Sequence, residues 1–244
     1  MDSLASLVED LISGSIDVID LTQPLSERTP MIQLPPPFAN TPNWKTHEIS
    51  RYDEKGPAWY WNWFEGGEHA GTHFDAPIHW VTGKDKDDVV IDKSKEAQAN
   101  PDYLLTLNDI RAFESEHGPA REGSWLLYRT GWDARANDQK AFLNANETGP
   151  HTPGIDIELA QWLARESPFV GVGVETVGTD AGAAHSFNPP FPCHQFLLGA
   201  NKYGLTQLAH LSALPPTGAV LLVAPLKLVK GSGSPCRALA LVQR

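Results

Sequence analysis

The sequence predicts an α/β fold. Short apolar runs of strand length alternate with stretches of helical periodicity, and a chain of 244 residues, 41% of them hydrophobic, can bury a full core. No internal repeat, low-complexity tract or break in composition divides it, so residues 1–244 are expected to form a single domain.

The elements follow in order. Leu4, Leu7, Val8, Leu11 and Ile12 recur at i, i+3, i+4, i+7 and i+8, which predicts an amphipathic helix over 3–13 that stops near Gly14, and 16–21 reads as a first strand. Pro24, Pro30, Pro35, Pro36, Pro37 and Pro42 then lock φ and remove hydrogen-bond donors. No central strand can run through 23–43, and a long surface arm is expected there. Strands are expected near Val89 and over 125–130, 169–174, 219–228 and 238–242, and helices over 108–117, 156–166 and 205–211.

Charge narrows the class of partner. There are 19 basic and 30 acidic residues, a formal net charge of −11, without a run of Lys or Arg. That speaks against nucleic acid and against an anionic membrane surface. No apolar stretch approaches membrane-spanning length, and Asp2, Glu9 and Asp10 stand where a secretory leader would carry positive charge. With only Cys193 and Cys236 available for a disulfide, a cytoplasmic protein is expected.

The chemistry concentrates in one run. Nine histidines in this chain predict about 0.4 in a window of eleven, yet His69, His73 and His79 share residues 69–79 with Asp75. All four lie at odd positions, which in an extended chain point to one face. Imidazoles and a carboxylate facing one way suit a divalent metal; the alternative is a tight loop in which the histidines only satisfy backbone groups. Two ligands four apart on a straight strand have Cα atoms about 13 Å apart, at the limit of bridging through one ion. The segment must therefore bend, and Gly71 is where a bend costs least. A metal held by two His and one Asp keeps open positions and acidifies a bound water, and His79 has a side chain suited to moving the proton.

The run H-x-G-T-H-x-D-x-P-x-H resembles the signature of the metal-dependent cyclase-like hydrolases, the family that includes bacterial kynurenine formamidase. Segments 34–42, 149–154, 177–182, 189–194 and 225–241 extend the resemblance over nearly the whole chain. It implies a swivelling β/β/α fold and a homodimer or higher homo-oligomer. The implied ligands are His69, His73 and Asp75, with His79 catalytic and His194 a contact to substrate or to the metal's water. Two-metal formamidases add a late histidine, matched by His194, and a glutamate whose position is Thr206 here, so one divalent metal per chain is expected: manganese, with zinc as the alternative. Gln207 could add its amide oxygen as a ligand, as in trans-dienelactone hydrolase. Only 80–88 separate His79 from the strand expected at Val89, where the family carries a longer segment.

The implied reaction is hydrolytic ring opening of a planar cyclic amide by a metal-bound hydroxide, with isatin to isatinate as the specific case; N-formylkynurenine and dienelactones are the alternative substrates. Trp59, Trp61, Trp63 and Trp80 flank the motif and are expected either to pack in the core or to wall the substrate pocket. His151 and His185 read as exposed loop histidines. With His73 and Asp75, either could instead complete the triad of an iron oxygenase, but that leaves His69 and His79 unused. A third reading is a non-catalytic metal- or ligand-binding module.

Overall fold

The computed structural model describes residues 3–56, 58, 60–79 and 89–244, so Trp59, Trp80 and the segment after His79 lie outside the described residues. The helices are α1 (Ser3–Ser13), α2 (Ser94–Ala99), α3 (Leu107–His117), α4 (Gln139–Leu143), α5 (Ile157–Arg165) and α6 (Pro192–Leu197). The strands of three residues or more are β1 (Ile16–Asp20), β2 (Lys45–Arg51), β3 (Tyr60–Glu65), β4 (His73–Asp75), β5 (Val89–Asp92), β6 (Trp125–Arg129), β7 (Gly171–Val174), β8 (Tyr203–Thr206), β9 (Val220–Pro225) and β10 (Gly233–Gln243). No helix among the described residues is long and apolar enough to cross a membrane.

Eight strands form one mixed sheet in the order β1–β10–β4–β8–β7–β6–β5, with β9 paired to β10 off this path. From β8 to β5 all neighbours are parallel. The strands β5, β6 and β7 read VVID, WLLYR and GVGV and are buried on both faces, as parallel strands covered on both sides must be. On one face Leu159, Ala160 and Leu163 of α5 and Ile110 of α3 pack against Leu126, Tyr128, Val172 and Val174. On the other, Trp125, Leu127, Tyr203 and Leu205 meet Leu21, Leu211, Ala238 and Ala240. Capping sets the helix starts: Asp156 Oδ1 accepts from Leu159 N at 2.6 Å, and Thr106 and Asp109 form a capping box at α3.

Two expectations change. No helix occupies 205–211: its first residues belong to β8, and Gln207 and His210 take φ of 53° and 58°, which a right-handed helix cannot contain. Leu205, Leu208 and Leu211 are all buried, so three-residue spacing reported burial correctly but through a strand and a kinked loop. The histidine run is extended only over β4; Gly71 carries φ of +61°, giving the bend, and Pro77–His79 is a 3-10 turn.

Strand β4 is antiparallel to both neighbours and sits where the parallel half of the sheet meets the antiparallel half. The carboxyl ends of β6 and β7 are tied by Glu175, which is 1% exposed. Its Oε2 accepts from Thr130 N at 2.6 Å, Thr130 Oγ1 at 3.0 Å and Trp132 N at 3.3 Å. Burial, with the charge of Asp133 adding, outweighs these donors and lifts its pKa from the ordinary 4.5 to about 7. The folded protein therefore holds a proton that the unfolded chain has lost between those values. Stability is expected to fall by about 3 kcal/mol from this group as pH rises through that window, and Glu175→Gln should remove this part of the slope in urea unfolding at pH 5 and pH 8.

Candidate metal centre

The site gathers on Asp75, whose side chain is 3% exposed. Strand pairing places Gly204 of β8 and Gly233 of β10 on either side of it. A Cβ at Gly204 would stand 2.8 Å from Asp75 Oδ2, and one at Gly233 would stand 2.5 Å from the His69 ring. Side chains at these two positions would fill the space the carboxylate and imidazole use, which is why both are glycine. Gly71 closes the bend below, where a Cβ would touch Leu25 at 3.0 Å.

Hydrogen bonding assigns the imidazole tautomers. His73 Nδ1 donates to Gly71 O at 2.8 Å, leaving Nε2 turned to Asp75 Oδ1 at 3.3 Å. Ser232 Oγ donates to Glu68 Oε2 at 2.8 Å, so it accepts from His69 Nε2 at 3.1 Å. His69 Nδ1 then faces Asp75 Oδ1 at 2.8 Å. Two imidazole lone pairs and a carboxylate oxygen thus converge, and three acceptors at this range repel unless positive charge lies among them. His69, Asp75 and His79 offer ligand atoms within 4.8 Å of one another. The residues present fit a divalent cation. Burial opposes charge on Asp75; protons on the facing nitrogens of His73 and His69, or a cation in their place, hold its pKa well below the carboxylate range.

Two further histidines border the cluster. The His79 ring lies 3.9 Å from that of His69 and 5.6 Å from that of His194. Desolvation, with the charges of His69, His194 and His73 adding and Asp75 opposing, pushes the His79 pKa down to about 4. For His194 burial also disfavours charge, but the hydrogen bond and charge of Asp180 outweigh it and raise the pKa. Gln207 is 1% exposed; its Nε2 donates to Pro30 O at 3.3 Å, and among the described residues its Oε1 has no hydrogen-bond partner. It borders a second cavity with Gln23, Thr29 and Asn137, whereas Thr206, next to it in the chain, is the residue against the His73 ring, at 3.0 Å.

His69, His73, Asp75, His79 and His194 line one cavity of about 310 Å3. Its apolar wall comes from Ile32, Leu34, Phe38 and Ala39 of the Pro-rich arm and from Val177 and Phe191, with Phe38 and Phe191 edge to face at 6.1 Å. The wall expected from Trp61 and Trp63 is corrected here. They are 53% and 49% exposed and do not line the cavity, because among the described residues β3 pairs only with β2, in a two-stranded ribbon off the main sheet. His151 is engaged by Asp102 at 2.8 Å and His185 sits in another loop, so neither joins His73 and Asp75. The signal for the true wall was present in the sequence as apolar residues set between prolines.

The chain is similar to known proteins along its whole length. Isatin hydrolase from Roseibium aggregatum is 49% identical over 258 aligned residues, covering 99% of this chain and 98% of that protein. A crystal structure of an isatin hydrolase bound to the product analogue thioisatinate is 48% identical, covers 100% of both chains and superposes with a TM-score of 0.95. Kynurenine formamidase from Salinibacter ruber is 28% identical over 172 residues, 70% of this chain and 74% of that one. The family model described as "Putative cyclase" matches residues 19–181, and with the signature run inside that span the chain belongs to the cyclase family.

Proposed function

We propose that this chain is a metal-dependent hydrolase that opens the cyclic amide of isatin to isatinate. The observation that carries the reading is the convergence of His69 Nδ1, His73 Nε2 and Asp75 Oδ1 at the floor of an apolar cavity. Its likeness to isatin hydrolase along the full chain supports the substrate. His69, His73 and Asp75 hold one divalent ion, manganese in preference to zinc. Gln207, whose Oε1 has no hydrogen-bond partner among the described residues, borders the second cavity and not this one, so it is left out of the ligand set. When bound, such an ion polarises a carbonyl and acidifies water.

The chain's own residues do the rest. Phe38, Phe191 and their apolar neighbours take the flat ring and exclude bulk water. The hydroxyl of water goes to the amide carbon, the C–N bond breaks, and the remaining proton ends on the ring nitrogen. His79, neutral at pH 7 because of its depressed pKa, accepts that proton and hands it on, with His194 facing the same space.

Trp61 and Trp63, exposed and on one face of the ribbon strand, support a homodimer, since exposed large apolar side chains on one face offer an interaction surface. We place the protein in the cytosol, where its two free buried cysteines stay reduced.

Turnover of isatin by manganese-loaded protein, equal with and without oxygen, tests the reading; turnover of N-formylkynurenine or a dienelactone alone would overturn the substrate. His73→Ala and Asp75→Ala should each lose the metal, measured by elemental analysis after gel filtration, along with activity. His79→Ala should keep its metal and lose about 10² to 10⁴ in kcat. Trp61→Lys with Trp63→Lys should move the sedimenting species from dimer to monomer.

A further inference from the structure

We infer that Asp180 is the positioning residue of this site: one buried carboxylate holds both the first turn of α6 and the ring of His194, and so decides which nitrogen of that ring meets the substrate. The inference rests on the hydrolytic reading above.

Asp180 lies 14 positions before His194, in the loop that follows the wall residues Val177 and Gly178. It is 7% exposed. The residue at the helix N-cap, Phe191, has no side-chain oxygen and adopts φ of 51°. The first helical residue is Pro192, which has no N–H, so the donors left at this end are those of Cys193 and His194. Asp180 takes both: Oδ1 accepts from Cys193 N at 2.7 Å and Oδ2 from His194 N at 3.1 Å. The same Oδ2 lies 2.6 Å from His194 Nδ1.

An ionised carboxylate only accepts, so Nδ1 must carry the proton. Any proton His194 exchanges with a molecule in the cavity therefore passes through Nε2. With one carboxylate gripping the backbone and the ring of the same residue, the ring cannot turn over without giving up its bond to Oδ2. Asp180 touches no substrate; it acts through His194. An acidic residue that sets an imidazole's tautomer is a known route to large rate effects when the carboxylate becomes an amide.

The isosteric change Asp180→Asn tests the tautomer while keeping one of the two bonds at the helix start. The amide oxygen can still accept from Cys193 N, while the amide nitrogen leaves His194 N without its acceptor, donates to His194 Nδ1 and moves the ring proton to Nε2. We expect kcat to fall about a hundredfold, with KM within threefold of wild type and metal content unchanged. Side-chain ¹⁵N spectra of the enzyme loaded with diamagnetic zinc should show His194 Nδ1 protonated in wild type and unprotonated in Asp180→Asn. His194→Asn keeps a donor towards Asp180 but lacks Nε2; it should melt like wild type, lose kcat to the same extent, and lose nothing more when Asp180→Asn is added. An unprotonated Nδ1 in wild type, unchanged kcat in His194→Asn, or additive losses in the double variant would overturn the inference. Should Asp180→Asn not fold, the wild-type spectrum and His194→Asn still decide. If wild type turns over no isatin while Nδ1 is protonated, it is the substrate assignment that fails and the grip of Asp180 that stands.

Discussion

Asp75 Oδ1 is the point on which the molecule closes. Two imidazole nitrogens face it within 3.3 Å, from His69 before the Gly71 bend and from His73 in the same strand. Groups that repel one another are held together because each is tied from behind. Gly71 O fixes His73, while Ser232 backed by Glu68 fixes His69. These supports come from the segments that lead into β4 and β10, and Thr206 of β8 stands against the His73 ring, so the geometry is a property of the whole sheet junction. A shift in the register of β8 or β10 would replace Gly204 or Gly233 with a side chain and fill the space.

Much of this was legible beforehand, for particular reasons. The α1 helix, the strands over 125–129 and 171–174 and the helices over 107–117 and 157–165 are local patterns of apolar spacing, and local patterns survive folding. The bend at Gly71 followed from the reach of two imidazoles around one ion, a constraint written in the spacing of the run. The 205–211 segment misled because Leu205, Leu208 and Leu211 all reach one core cluster from a strand end and a kinked loop, which a one-dimensional pattern cannot distinguish from one helical stripe. The tryptophans misled for a related reason. Alternation correctly placed Trp61 and Trp63 on one face of a strand, but nothing local says what that face meets. The wall residues Phe38 and Phe191 come from segments about 150 positions apart, and proximity in space at that range has no sequence pattern.

The histidines divide by environment. His79 and His194 sit 5.6 Å apart, yet one is driven towards neutrality chiefly by desolvation, while the other is drawn towards charge by a carboxylate behind it. Identical side chains thus acquire opposed tendencies from burial and a single neighbour, which is how one residue type can serve both proton acceptance and donation at neutral pH.

The Pro-rich arm has a consequence for how this protein can change over generations. It supplies most of the apolar wall of the cavity without belonging to the sheet, and its tip is closed on itself by Asn40, whose side chain bonds the backbone of Leu34 at both 2.6 and 3.1 Å. Replacing Ile32, Leu34 or Phe38 alters the outline presented to a substrate while leaving strand pairing and the acceptor cluster untouched. Reaction and recognition are therefore heritable separately: lineages can trade one arm for another and try new substrates while the hydrolytic floor is inherited intact.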